Sequence, residues 1–179
     1  MRKLILLDRD GTVNEEVHYL ASPEQLKLIP GAAEGIRRLN QSGFSVVIIT
    51  NQSGVGRGYL SLATLDSIHQ RLRELLAAEG ATVDGIFYCP HLPGDNCPCR
   101  KPQAQMAHEA AAALNLSLDG AVVIGDKACD ILLGKAIKAT SLLVRTGHGS
   151  QYSIIPGSEP DMIFSNLRDA AEWVSSDMR

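Results

Sequence analysis

Asp8-Arg9-Asp10-Gly11-Thr12 sets two carboxylates on either side of one residue, directly after the apolar run Leu4-Ile5-Leu6-Leu7. Ionised so close together, Asp8 and Asp10 would repel and perturb each other's proton affinity, so the pair calls for a bound cation or a catalytic use. Asp-Gly-Thr is also an ordinary turn and helix cap, and that bland reading stands beside the chemical one. A second capable set lies at Cys89-Pro90-His91 and Cys97-Pro98-Cys99. Three thiols and one imidazole within eleven residues form a closed tetrahedral donor set for zinc. No position is left for water or substrate, so that ion would be structural. Arg100 and Lys101 follow Cys99 directly, and a zinc clip at Cys89, His91, Cys97 and Cys99 would fix where these two cations point. Cys129 stands apart and reads as a helix residue of the core.

Elements must hold these groups in place. Short β-like apolar runs alternate with longer segments of helical period, the pattern of βαβ units and a parallel sheet. Strands are predicted over 3–7, 45–50, 85–89, 121–125 and 140–145, and helices over 32–41, 62–79, 103–114, 128–139 and about 167–174. Pro30-Gly31, Gly43 and Gly80 punctuate them. In an open parallel sheet the ligand site lies beyond the carboxyl ends of the strands. Four polar clusters start at such ends: Asp8 to Thr12, Thr50-Asn51-Gln52-Ser53, Cys89-Pro90-His91 and Gly125-Asp126-Lys127. Loops there are polar anyway, but that does not account for carboxylates on two of them and for Thr and Lys on others. Gly54-Val55-Gly56-Arg57-Gly58 lacks the spacing of a dinucleotide fingerprint, and no Gly-Lys-Ser/Thr makes it a P-loop. Its glycines would let a loop bend over the site, with Arg57 directed at substrate.

Asp8-Arg9-Asp10-Gly11-Thr12, Ile49-Thr50-Asn51, Arg100-Lys101-Pro102 and Gly125-Asp126-Lys127-Ala128-Cys129-Asp130 resemble, in order and spacing, the four motifs of the haloacid dehalogenase superfamily. The resemblance implies a Rossmann-like α/β domain spanning 1–179, with a parallel sheet and a zinc-binding loop; no insertion between the motifs is large enough for a cap domain. It implies Asp8 as the nucleophile that forms an aspartyl-phosphate, and Asp10 as general acid and then base. Thr50 and Lys101 would stabilise the transferring phosphoryl group. The carboxylates of Asp8 and Asp126, with the backbone carbonyl of Asp10, would hold Mg²⁺. Asp130 would position Lys127 or Lys101.

The Cys-x-His and Cys-x-Cys pairs before Arg-Lys-Pro resemble one branch of that superfamily, which holds heptose bisphosphate phosphatases and histidinol-phosphate phosphatases. The implied reaction is loss of the 7-phosphate from a heptose 1,7-bisphosphate during synthesis of activated heptose, with histidinol phosphate as the alternative substrate. Asn14-Glu15-Glu16-Val17-His18-Tyr19 and Thr50 to Gly58 resemble substrate loops, which names Glu16, His18, Tyr19, Asn51, Gln52, Ser53 and Arg57 as substrate-binding candidates, together with Arg100 and Lys127. Both arginines would serve a second phosphate.

Composition narrows the classes. With 179 residues, 45% of them apolar, one well-buried core is expected, and a net charge of -3 without a basic run argues against nucleic acid or membrane partners. Asp8-Arg9-Asp10 ends the apolar run that follows Met1-Arg2-Lys3 too early for a signal peptide, so a cytoplasmic location is expected, in which clustered cysteines bind metal rather than pair. A monomer acting on a small sugar phosphate is expected. Two other classes stay open: a zinc-dependent hydrolase, which needs an open metal position, and a catalytically idle binding module.

Overall fold

Leu4–Leu7, wholly buried, forms β1 near the middle of a six-stranded sheet in the computed structural model, which describes residues 2–178. Ser45–Asn51 (β2), Gly85–Cys89 (β3), Val122–Gly125 (β4), Thr140–Val144 (β5) and Met162–Phe164 (β6) complete it. All neighbours pair parallel in the order β3-β2-β1-β4-β5-β6. The helices are Ala32–Gln41 (α1), Ser53–Gly56 (α2), Leu62–Ala78 (α3), Gln105–Ala113 (α4), Ala128–Ala136 (α5) and Leu167–Asp177 (α6).

Successive strand residues face opposite sides. Ile5, Leu7, Val46, Ile48, Val122 and Ile124 pack with α1, α3 and α6, whereas Leu4, Leu6, Val47, Ile49 and Val123 pack with α4 and Leu133 of α5. Both faces of the sheet are therefore covered, which is why its strands read as continuous apolar runs rather than alternating ones. The chain runs outward from β1 in one direction through β2 and β3, and in the other through β4, β5 and β6. The switch point falls between β1 and β4, where a crevice is expected in such a sheet. Asp8 leaves β1 on one side of it and Asp126 leaves β4 on the other.

Two expectations need correction. The sheet has a sixth strand: β6 is three residues long with Met162 and Ile163 exposed, too short and too open for periodicity to reveal. Asp161 ties its start to β5, accepting from the Ser141 amide and hydroxyl at 2.7 Å each. The glycine stretch after β2 does not begin as a bending loop: Ser53–Gly56 form the one-turn helix α2, Arg57 caps it, and Gly58 turns the chain at φ +74°. A Cβ on Gly54 would meet Leu60 at 2.6 Å, and one on Gly56 would meet the Pro90 carbonyl at 2.7 Å. Gly54 thus permits close packing against Leu60 and Tyr19, and Gly56 against Pro90 and Leu92 of the zinc-loop side. Among the described residues no helix is long and apolar enough to cross a membrane.

Candidate active site

Asp8 is 4% exposed, and its Oδ1 accepts from the Arg9 amide and from Lys101 Nζ, both at 2.8 Å. Lys101 Nζ also donates to Asp130 Oδ1 at 2.7 Å and to the Ile49 carbonyl at 2.8 Å, so all three ammonium protons have partners. Burial would raise the Asp8 carboxyl, but the Lys101 and Lys127 charges outweigh it and hold it down at about 2. Burial alone would lower the Lys101 ammonium, yet the Asp130 and Asp8 carboxylates push it well above its ordinary range. Asp130 therefore positions Lys101 through its side chain, and it also accepts from the Lys127 backbone amide at 3.1 Å.

Asp126 behaves differently. Its Oδ2 accepts from the His148 amide at 2.8 Å, whereas its buried Oδ1 has no hydrogen-bond partner. Burial first, and then the Asp8 charge, push this carboxyl up to about 8. The Lys127 ammonium lies 3.2 Å from the Asp10 carbonyl, 3.6 Å from Asp8 Oδ2 and 3.7 Å from Asp126 Oδ1. Those are the three oxygens named from the sequence as magnesium ligands, and the cationic side chain that meets them also pairs with Glu16 at 2.9 Å. An oxygen-only cluster with an orphaned buried carboxylate oxygen suits a hard divalent cation.

Asp10 turns the other way. Arg9 grips its carboxylate from Nε at 3.1 Å and from Nη2 at 2.9 Å to each oxygen; Asn14 Nδ2 adds a contact at 2.9 Å and Gln52 Nε2 one at 2.8 Å. The same Gln52 nitrogen lies 2.7 Å from Thr50 Oγ1, linking the two sides of the site.

Asp10, Glu16, His18, Tyr19, Asn51, Gln52, Ser53 and Lys127 line one cavity of about 470 Å³, with Arg9 and His148. Asp8, Thr50 and Lys101 are buried and do not line it. Asn51 braces Lys101, accepting from its amide at 3.0 Å and donating to its carbonyl at 3.1 Å. Two sequence candidates lie elsewhere. Arg57 is exposed after α2, and Arg100 lines a separate cleft of about 270 Å³ beside the zinc loop, with Nη1 3.3 Å from the His91 carbonyl.

Cys89, His91, Cys97 and Cys99 converge, their donor atoms all within 4.8 Å of one another, and none is in a disulfide. His91 presents Nδ1, at 3.2 Å from Cys99 Sγ. Cys129 is not part of that group and packs at the start of α5 near Asp130.

Several site residues escaped the sequence reading. The turn after β5 brings Thr146 Oγ1 to the Gly11 carbonyl at 2.6 Å and the His148 amide to Asp126. Gly147 is required there: its φ is +52°, and a Cβ would lie 2.4 Å from Asp126 Oδ2 and 2.5 Å from Gly11 Cα. The rule that exposed the other clusters, polar residues at a strand's carboxyl end, also applied to this turn. His69 gave no signal, because it lies on the buried face of α3 among leucines.

A family model described as HAD-hydrolase-like matches residues 98–170. The chain is 40% identical over 171 residues to the D-glycero-beta-D-manno-heptose-1,7-bisphosphate 7-phosphatase of Pseudomonas aeruginosa, spanning 95% of this chain and 96% of that protein. The chain belongs to the heptose 1,7-bisphosphate 7-phosphatase family. A family member from Thermosynechococcus vestitus is 39% identical over 97% of this chain and 95% of its own. The crystal structure of the family's D,D-heptose 1,7-bisphosphate phosphatase from B. bronchiseptica, complexed with magnesium and phosphate, superposes with a TM-score of 0.87 at 37% identity, covering 96% of this chain and 97% of that one.

Proposed function

We propose that this chain is a magnesium-dependent phosphatase that removes the 7-phosphate of D-glycero-D-manno-heptose 1,7-bisphosphate, working in the cytoplasm as a monomer. The observation that carries the chemistry is the meeting of Asp8, Lys101 and Asp130 with the unpartnered carboxylate oxygen of Asp126. Asp8 Oδ2 shares the Lys127 ammonium with the Asp10 carbonyl and Asp126, which assigns it to the cation side, so Oδ1, held by Lys101 and the Arg9 amide, is the oxygen left to attack phosphorus. Asp8, Asp126 and the Asp10 carbonyl would hold Mg²⁺, which supplies positive charge between the phosphate and the carboxylates.

In the first step the Asp8 Oδ1–P bond forms as the bond from phosphorus to the sugar oxygen breaks, and Asp10 gives that oxygen its proton. In the second, Asp10 takes a proton from water, water oxygen bonds to phosphorus, and Asp8 is released with inorganic phosphate. Lys101 and the Thr50 hydroxyl stabilise the charge on the phosphoryl oxygens in both steps. Lys127, which meets the three oxygens of the cation site, can stay with Glu16, its partner at 2.9 Å, when that site is filled. Zn²⁺ held by Cys89, His91, Cys97 and Cys99 would be structural, with all four positions taken by protein.

Glu16 bears on the choice of substrate. Of the two cavity carboxylates that could attract the ammonium of histidinol phosphate, Asp10 is held by Arg9 and Glu16 is already paired with Lys127. That favours a neutral polyol over an ammonium, with His18 and Tyr19 beside the sugar hydroxyls. Arg100, and Arg57 from the far side of α2, are left to meet the second phosphate outside the cavity. Comparison of kcat/KM for the bisphosphate and for histidinol phosphate tests the assignment; a higher value for histidinol phosphate overturns it. Arg100→Ala should raise KM for the bisphosphate far more than for a monophosphate.

A further inference from the structure

The charge in this molecule with the least conventional surroundings is Arg9. Its side chain is 1% exposed, yet it sits one residue from the nucleophile and gives Asp8 nothing but its backbone amide. Burying a guanidinium is costly unless its protons are matched. Here Nε and Nη2 are matched by the Asp10 carboxylate, and Nη1 lies 3.1 Å from His69 Nε2. A guanidinium only donates, so His69 Nε2 must accept, which places the ring proton on Nδ1 and leaves the imidazole neutral. Burial, and then the Arg9 charge, hold this imidazole down at about 3, in agreement with that tautomer.

We propose that Arg9, braced by His69, is the positioning residue that sets the Asp10 carboxylate for proton transfer; this rests on the acid–base role given to Asp10 above. The two Asp10 oxygens are held unequally. Oδ1 takes three donors, Arg9 Nε, Arg9 Nη2 and Asn14 Nδ2, and Asn14 is wholly buried. Oδ2 takes Arg9 Nη2 and Gln52 Nε2, and Gln52 lines the cavity and also bonds Thr50. Oδ1 is therefore the anchored oxygen. Oδ2 carries the exchangeable contact, and it can face the leaving oxygen once the phosphoryl group engages Thr50 and Gln52. The guanidinium fork fixes the plane of the carboxylate, which a single ammonium would leave free to turn. His69 stops the guanidinium itself from rotating, from a helix whose other buried residues are leucines and Ile68.

A brace for the acid has a signature that a general structural role lacks. The value of kcat/KM covers steps up to formation of the aspartyl-phosphate, where protonation matters for a sugar alkoxide and little for p-nitrophenolate. His69→Leu removes the acceptor and should lower kcat/KM for the sugar phosphate about 10- to 100-fold, with p-nitrophenyl phosphate changed about threefold or less. His69→Gln, whose amide oxygen can accept from Nη1, should restore most of the sugar-phosphate activity. Arg9→Lys should show the same selective loss; if it fails to fold, the two His69 variants decide. Asp10→Asn is the control. Equal losses on both substrates in Asp10→Asn overturn the acid role itself. A selective loss in Asp10→Asn, with equal losses or none in His69→Leu or without rescue by His69→Gln, overturns the brace alone.

Discussion

Acid should cost the folded protein stability through His69. In the folded chain burial and the Arg9 charge hold this imidazole at about 3, against an ordinary value of 6.5. Below pH 6.5 the unfolded chain binds a proton on the ring that the folded chain refuses, so this contribution is complete above that value and is lost progressively as pH falls toward about 3. Each pH unit in the window corresponds to about 1.4 kcal/mol, so a drop of about 1.5 units below the ordinary value removes about 2 kcal/mol. Other groups titrate over the same range, and His69→Gln isolates this one by keeping an acceptor that cannot be protonated. Urea unfolding of both proteins near neutrality and near pH 5 gives the comparison. Wild type should lose about 2 kcal/mol more than the variant between the two conditions. Equal losses would mean that the ring takes up a proton while folded, and the tautomer assigned to it would be wrong.

Asp8→Asn should abolish turnover with little change in melting temperature, since Lys101 keeps Asp130 at 2.7 Å; clear turnover in a sample free of deamidation would remove Asp8 as nucleophile. With Asp126 at about 8 in the metal-free protein, Mg²⁺ binding near neutrality should release up to about one proton. Titration calorimetry in buffers of different ionisation enthalpy measures it, and a heat independent of buffer contradicts it. Protein purified without chelator should carry about one zinc per chain, and Cys97→Ser or Cys99→Ser should lower the melting temperature. Absence of zinc by elemental analysis refutes the clip.

The sheet and most of the site could be read from the sequence for one physical reason. Strands buried on both faces are near-continuous apolar runs, and the polar residues that end them stand out. Asp8, Thr50 and Asp126 were visible in that way, whereas Lys101 was named by the resemblance of Arg100-Lys101-Pro102 to a superfamily motif. Gly147 and His148 obeyed the same rule at the end of β5 and were overlooked. Arg9 was legible as a motif residue but not as a buried one: Asp10 beside it takes Nε and Nη2, but the acceptor for Nη1, His69 of α3, lies sixty residues on. The stretch before Arg57 shows the opposite case. Its glycines suggested a loop reaching over the site, whereas they permit close packing against Leu60 and Pro90, and the arginine is left exposed.

Phosphorus NMR of D-glycero-D-manno-heptose 1,7-bisphosphate incubated with the protein and Mg²⁺ tests the central claim most directly. The account requires the resonance of the primary 7-phosphate to disappear into inorganic phosphate while the anomeric 1-phosphate stays in place. Loss of the 1-phosphate, or an unchanged spectrum from protein that carries both metals, would contradict it.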